Sequence, residues 1–258
     1  MKKVLFTLAI GLATLTSCES DSDSNNSNDN DVVLLTKNID TYNDGSTTTV
    51  EYFYEGNKLV RIAASDVFVD TYIYTDGVLT GHEDTYYDLD ENDDEVLVID
   101  VSDFEYDSNN RLIKETVTYS EGGITVNTFV HNADGTVTKN YGDGDRTSVY
   151  TIINGNLTKI VYTDSDGGES SVTTNTYDTK NQPFKNISNA STFLLLGNYA
   201  FTNNQLSVTV TGSASYPEDN EVITYTYNSN DYPVESTTTY ASGTVDEETQ
   251  TTEYFYND

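Results

Sequence analysis

The chain has 258 residues, with 43 acidic side chains against 12 basic ones and a formal net charge of −31. A field of that sign repels nucleic acid and anionic headgroups, which excludes phosphate-backbone recognition and adhesion to an anionic bilayer by charge. One cysteine in the whole chain excludes an intramolecular disulfide, so stability must come from packing and hydrogen bonds.

Lys2 and Lys3 open the chain, followed by twelve mostly apolar residues from Val4 to Leu15 and then by Leu15-Thr16-Ser17-Cys18. A basic start, a short apolar run and small residues before a cut make an export signal. Twelve residues are too few to span a hydrocarbon layer of roughly 30 Å as a helix. The Leu-Thr-Ser-Cys string resembles the lipobox of bacterial lipoproteins. That resemblance implies that residues 1–18 are a signal peptide ending at Cys18, that Cys18 is acylated and becomes the first mature residue, and that the mature chain holds no free thiol.

Residues 19–31 read ESDSDSNNSNDND, five carboxylates and no apolar side chain. Nothing there offsets the entropy of ordering, so a disordered tether is expected, with a reach of roughly 20 Å from coil statistics. Acidic residues directly after a lipidated cysteine also resemble export signals of surface-displayed lipoproteins. The expected location is an outer membrane held through the lipid alone, with the cell surface favoured over the periplasmic face.

From residue 32 to 258, Thr, Tyr, Val and Ile alternate with polar residues, the period-two pattern of half-buried strands, and this stretch is expected to be a single all-β domain. An aromatic or apolar anchor recurs, followed by a polar turn and a second apolar residue five or six places on. The anchors are Tyr54, Tyr74, Tyr106, His131, Ile152, Tyr177, Phe201 and Tyr227; Leu59, Leu79, Leu112, Val137, Leu157, Pro183, Leu206 and Pro233 answer them. Tyr256 begins a ninth copy that stops at the turn. The intervening segments hold Gly56-Asn57, Asp76-Gly77, Asp134-Gly135 and Asn154-Gly155, whose residues adopt positive φ readily. Along one strand pair the buried set is read as Tyr150, Ile152, Leu157 and Val161.

The phrase Phe104-Glu105-Tyr106-Asp107-Ser108-Asn109-Asn110-Arg111-Leu112 resembles the YD repeat of Rhs-type proteins, with Asn110 where that pattern has glycine, and Tyr225-Thr226-Tyr227-Asn228 begins a looser copy. The resemblance implies hairpin geometry and a small lipoprotein with YD-like repeats; it carries over no catalytic residue. Sixteen to eighteen sequential antiparallel strands are too many for a flat sheet, because twist curls or splits open sheets beyond about ten. The expected fold is a long antiparallel meander of hairpins, curled into a barrel-like or two-layer shape. A transmembrane barrel would need an apolar band on every strand, and Ser236–Tyr240 and Thr249–Tyr254 offer mainly Thr and Glu.

Chemistry is sparse. His82 and His131 have no metal-site spacing, and His131 sits in an anchor slot as a packing residue. There is no nucleophile elbow, phosphate loop or Cys/His cluster, so no catalytic residue is assigned and no enzyme is expected. Acidic turns offer oxygen ligands for Ca²⁺ at Asp88, Asp90 and Asn92, at Asp143 and Asp145, and at Asp164 and Asp166. The first run starts like an EF-hand, yet Asp93 stands where that loop needs glycine and Ile99 where it needs glutamate. Solvated turns that keep strand edges apart are the plainer account, and otherwise no cofactor is expected. Two roles fit a monomer of this kind. One is a surface binding or adhesion module whose rows of exposed Tyr and Thr meet a glycan or protein. The other is a periplasm-facing envelope protein that shelters an apolar ligand or assists another complex.

Overall fold

The computed structural model describes residues 32–64, 68–89, 95–142, 144–164, 169–197, 201–212, 220–244 and 247–257. Cys18 and the acidic stretch after it lie outside the described residues. Sixteen strands run in chain order: β1 (Leu35–Thr41), β2 (Thr47–Glu55), β3 (Lys58–Ala64), β4 (Phe68–Thr75), β5 (Val78–Leu89), β6 (Glu95–Tyr106), β7 (Leu112–Thr118) and β8 (Ile124–His131). They continue with β9 (Val137–Asn140), β10 (Thr147–Ile153), β11 (Asn156–Thr163), β12 (Glu169–Tyr177), β13 (Gln205–Thr211), β14 (Glu221–Tyr227), β15 (Pro233–Tyr240) and β16 (Glu248–Tyr256). Each strand pairs antiparallel with the next, and β16 pairs with β1, so the meander closes into a barrel. The truncated ninth copy makes that closure: Tyr256 lies opposite Leu35.

The repeat has a structural unit that simple alternation does not describe. Tyr54 pairs with Leu59 while Phe53 pairs with Arg61, so the strand after the turn carries one extra residue. The same one-residue shift recurs at Tyr74 and Leu79, Tyr106 and Leu112, Ile152 and Leu157, and Tyr227 and Pro233. A bulge of this kind bends the strand and turns anchor and partner to the same face. It also moves every later residue by one, so Ile160, opposite Tyr150, faces inward and Val161 outward. The expected buried set of Tyr150, Ile152, Leu157 and Val161 is therefore corrected at its last member.

Two predicted copies do not exist as hairpins. Tyr177 pairs with Gln205, neither with Pro183 nor through a short turn, because residues 178–197 and 201–204 lie outside the sheet between β12 and β13. They carry the one helix among the described residues, α1 (Ala190–Leu196), which ends at Gly197 in the left-handed conformation with its N–H on the Leu194 carbonyl. Phe201 is not a strand anchor; its ring meets that of Tyr177 edge-on at 5.6 Å between centroids.

A sixteen-strand barrel is too wide for its own side chains to fill, and this excursion supplies the missing apolar volume at one end. Ile187, Phe193, Leu194 and Leu195 pack into a cluster with Leu59, Leu79, Leu112, Val137 and Leu157, the residues that follow the hairpin turns. Polar bonds tie the plug to those turns. Ser188 donates N–H to the Asn57 carbonyl (2.8 Å), Asn189 Nδ2 reaches the Gly77 carbonyl (3.3 Å), and the Thr202 N–H meets Asn156 Oδ1 (3.1 Å). Asn181 adds its N–H to the Asp231 carbonyl and Nδ2 to the Asn230 carbonyl. Asn186 Nδ2 bonds the Val33 carbonyl at 2.8 Å, so the described chain also begins at the plugged end.

The outer face is dominated by threonine and charge on β15 and β16, where Glu235 lies opposite Glu253 and Thr237 opposite Thr251. The same two strands also expose Val234 and Phe255.

Candidate ligand-binding lumen

The plug fills only part of the barrel. Beyond it lies a cavity of about 550 Å³, within the size range of small-molecule sites. Pro183, Phe184, Ile187 and Phe193 of the plug form its floor. The Phe184 ring meets Tyr52 edge-on and the Phe193 ring meets Tyr72 edge-on, each at 5.0 Å. Tyr42, Tyr52, Tyr72, Tyr225, Tyr240 and Tyr254 contribute to the walls.

These tyrosines correct the expectation of exposed tyrosine rows. Tyr42, Tyr87 and Tyr119 are the tyrosines that stand exposed among the described residues; the anchors and most others face inward. Threonine takes the outer positions, because the bulge places the aromatic anchors inside. Burial raises the hydroxyls of Tyr72 and Tyr225 well above their ordinary value, so both stay neutral. Two wall tyrosines have their polar ends held: the Tyr225 hydroxyl donates to the Gln205 carbonyl at 2.9 Å, and the Tyr52 hydroxyl donates to Asn38 Oδ1 at 2.6 Å.

Charge in the lining is of one sign. Asp40, Asp70 and Glu221 contribute to the wall, and no Lys, Arg or His does. Asp40 accepts from Asn38 Nδ2 (2.9 Å) and from the Thr252 hydroxyl (2.6 Å). Asp70 meets His82 Nε2 at 2.8 Å, and the His82 ring stacks on Tyr72 at 4.9 Å. Glu221 has burial as the cause that raises its carboxyl above the ordinary value. Asp84, in register with Asp70, is raised by burial and then by the neighbouring Asp70 charge. Asn204, 1% exposed and part of the lining, donates to Asp178 Oδ2 at 3.0 Å, while its own Oδ1 has no hydrogen-bond partner.

A second depression of about 430 Å³ lies where the plug meets the hairpin turns, lined in part by Leu112, Val137, Leu194 and Thr202. Its two cations are occupied: Arg111 pairs with Asp107 at 2.6 Å and Lys185 donates to Asn181 Oδ1 at 2.7 Å.

Each sequence-predicted turn for Ca²⁺ has one described ligand: Asp88, Asp145 and Asp164. Asp88 is exposed at the end of β5 and accepts its neighbour's N–H, from Leu89, at 2.7 Å. Asp145 and Asp164 are exposed in separate turns, and Asp90, Asn92, Asp143 and Asp166 lie outside the described residues. Among the described residues, no group of three or more His, Cys, Asp or Glu is placed to hold a metal ion. His131, in its anchor slot, bonds the Leu112 carbonyl through Nε2 at 2.9 Å.

The lining carboxylates were missed as site residues, although their signal was present. Asp70 shares alternation with Tyr72 and Tyr74, and Glu221 with Ile223 and Tyr225, which places a carboxylate on the aromatic face of the strand.

No family model matches the chain, and no curated protein matches it. Among solved structures, it is similar to a porin-like protein from Bacteroides uniformis ATCC 8492, with 15% identity over 86% of this chain and 98% of that one and a TM-score of 0.41. A porin-like protein from Bacteroides vulgatus ATCC 8482 gives 13% identity over 88% of this chain and 99% of that one, with a TM-score of 0.42. The barrel assignment rests on the strand pairing described above, which is complete around the ring.

Proposed function

We propose that the protein is a non-catalytic binding protein of the bacterial envelope, anchored through lipid on Cys18, that holds a small ligand in the lumen of its barrel. The observation that carries this reading is the aromatic cavity of about 550 Å³ closed at one side by the plug. A closed sheet with inward tyrosines supports the sheltering of a ligand better than recognition along the outer strands. No nucleophile with an adjacent base accompanies the cavity among the described residues, and its titratable groups serve recognition.

The test is to narrow the cavity from its wall. Ile223→Trp or Thr238→Trp adds bulk inside while leaving the outer face unchanged. Wild-type barrel should gain thermal stability from a small-molecule fraction of the native cell envelope, and the two variants should not. Equal gains in wild type and both variants would place binding elsewhere and refute the lumen reading. Anchoring is tested separately: Cys18→Ala should move the protein from the membrane fraction to the soluble one. On the lipoprotein pattern, the acidic tether favours the cell surface, and digestion by protease on intact cells is the expected result.

Adhesion keeps one specific observation in its support. Tyr87, Leu97, Ile99 and Ile124 are exposed on the outer face of β5, β6 and β8, with Ile124 at 68% exposure. An exposed apolar patch of this kind suits a protein partner. Substituting Ile124 and Leu97 with Ser should abolish such a contact without changing ligand-dependent stabilisation through the lumen.

A further inference from the structure

We infer that the lumen selects an organic cation: an ammonium or guanidinium group carried on an apolar body of modest size. This deepens the lumen-binding reading and rests on it. Asp40, Asp70 and Glu221 are carboxylates in a lining without Lys, Arg or His. A partly buried carboxylate favours a counter-charge, because burial penalises the isolated anion. Asp40 and Asp70 have hydrogen-bond partners of the fold, whereas burial alone accounts for the raised carboxyl of Glu221. A cationic ligand would pair with the carboxyl groups of this wall.

A further feature points to the same chemistry. Much of the remaining lining is tyrosine and phenylalanine, whose ring faces attract cations and whose area receives an apolar body. Three carboxylates on the wall disfavour an anion, and a purely apolar ligand gains nothing from them. The acidity of the chain as a whole raises the local concentration of cations near the barrel.

The experiment uses three probes of similar shape and different charge: 2-phenylethylammonium, 2-phenylethanol and phenylacetate, each titrated calorimetrically into the lipid-free barrel at physiological salt. The ammonium should bind at least tenfold more tightly than the alcohol, and phenylacetate should give no measurable heat. Glu221→Gln keeps shape and should weaken the ammonium about tenfold while leaving the alcohol unchanged. Glu253→Gln, on the outer face, should leave all three unchanged. Equal affinity for ammonium and alcohol, or an ammonium affinity that falls as much in Glu253→Gln as in Glu221→Gln, would overturn cation selection and leave the lumen as an apolar site. Absence of binding by all three to a folded barrel would overturn the lumen-binding reading together with this one.

Discussion

The two ends of this barrel are built from the same repeat and solve opposite problems. At the plugged end most anchors meet their partners through a bulge, His131 and Val137 pairing without one, and Phe193, Leu194 and Leu195 pack with those partners in an apolar cluster. Beyond the plug, the same inward register carries Asp40, Asp70 and Glu221 among tyrosines, and a cavity remains. On the proposed lumen reading, stability and recognition are separated along one axis: side chains near the hairpin turns hold the fold, and those farther along the strands would meet a ligand.

That separation predicts an asymmetric response to mutation. Phe193→Ala should cost about 3–5 kcal/mol, as expected for removing a fully buried phenylalanine, and Ile223→Ala on the cavity wall less than about half of that, because its side chain already borders empty space. Denaturant unfolding of the two variants checks this; equal losses would mean that the wall is as tightly packed as the plug. Beyond the plug, close approach of the backbone matters at Gly142, where an added Cβ would lie 2.4 Å from the Val126 carbonyl oxygen. Gly142→Ala should therefore cost about 1–3 kcal/mol by the same measurement.

Titration sharpens the contrast further. Glu221 has its carboxyl raised above the usual 4.5, so its contribution to stability is complete below that pH and is lost as pH rises through the folded value. Glu221→Gln should then raise the melting temperature at pH 7 and have little effect below pH 4.5. Asp107, in a turn at the plugged end, behaves in the opposite way. Hydrogen bonds from Arg111 hold its carboxyl at about 2, so its stabilisation is present above 3.8 and disappears as pH falls toward 2. Asp107→Asn should destabilise the barrel at pH 7, with the difference closing between pH 4 and pH 2. The smallest effect is expected outside: Thr251→Ala should stay within about 0.5 kcal/mol of wild type.

Much of the fold was legible in the residues. Alternation and the spaced turns gave the hairpin meander, and the partial copy at Tyr256 held the residues that close the ring against Leu35. Asn110, which replaces the usual glycine, adopts φ 57° and keeps the turn, while Asp107 accepts the N–H groups of Asn109 and Arg111. What was not legible is the bulge, because one extra residue per hairpin leaves no mark in composition and shifts inward positions such as Ile160 by a single place. The plug was hidden by spacing that imitated the repeat at Tyr177 and Phe201. Its local signal was Phe193-Leu194-Leu195-Leu196, four consecutive apolar residues that no half-buried strand requires. The site was illegible for a related reason: its carboxylates come from β1, β4 and β14, which only closure of the barrel brings to one space.

Adjacent residues of one strand divide the proposed acidic lumen from the outside, and thiol labelling reads that division out. In a Cys18→Ser background, Thr238→Cys places a thiol in the cavity and Thr237→Cys places one on the outer face. Matched positively and negatively charged methanethiosulfonate reagents are then compared at each site. The account predicts that the ratio of cationic to anionic labelling rates is at least several-fold larger at position 238 than at position 237. Equal ratios, or a thiol at 238 that no reagent reaches while the barrel stays folded, would contradict an accessible acidic lumen.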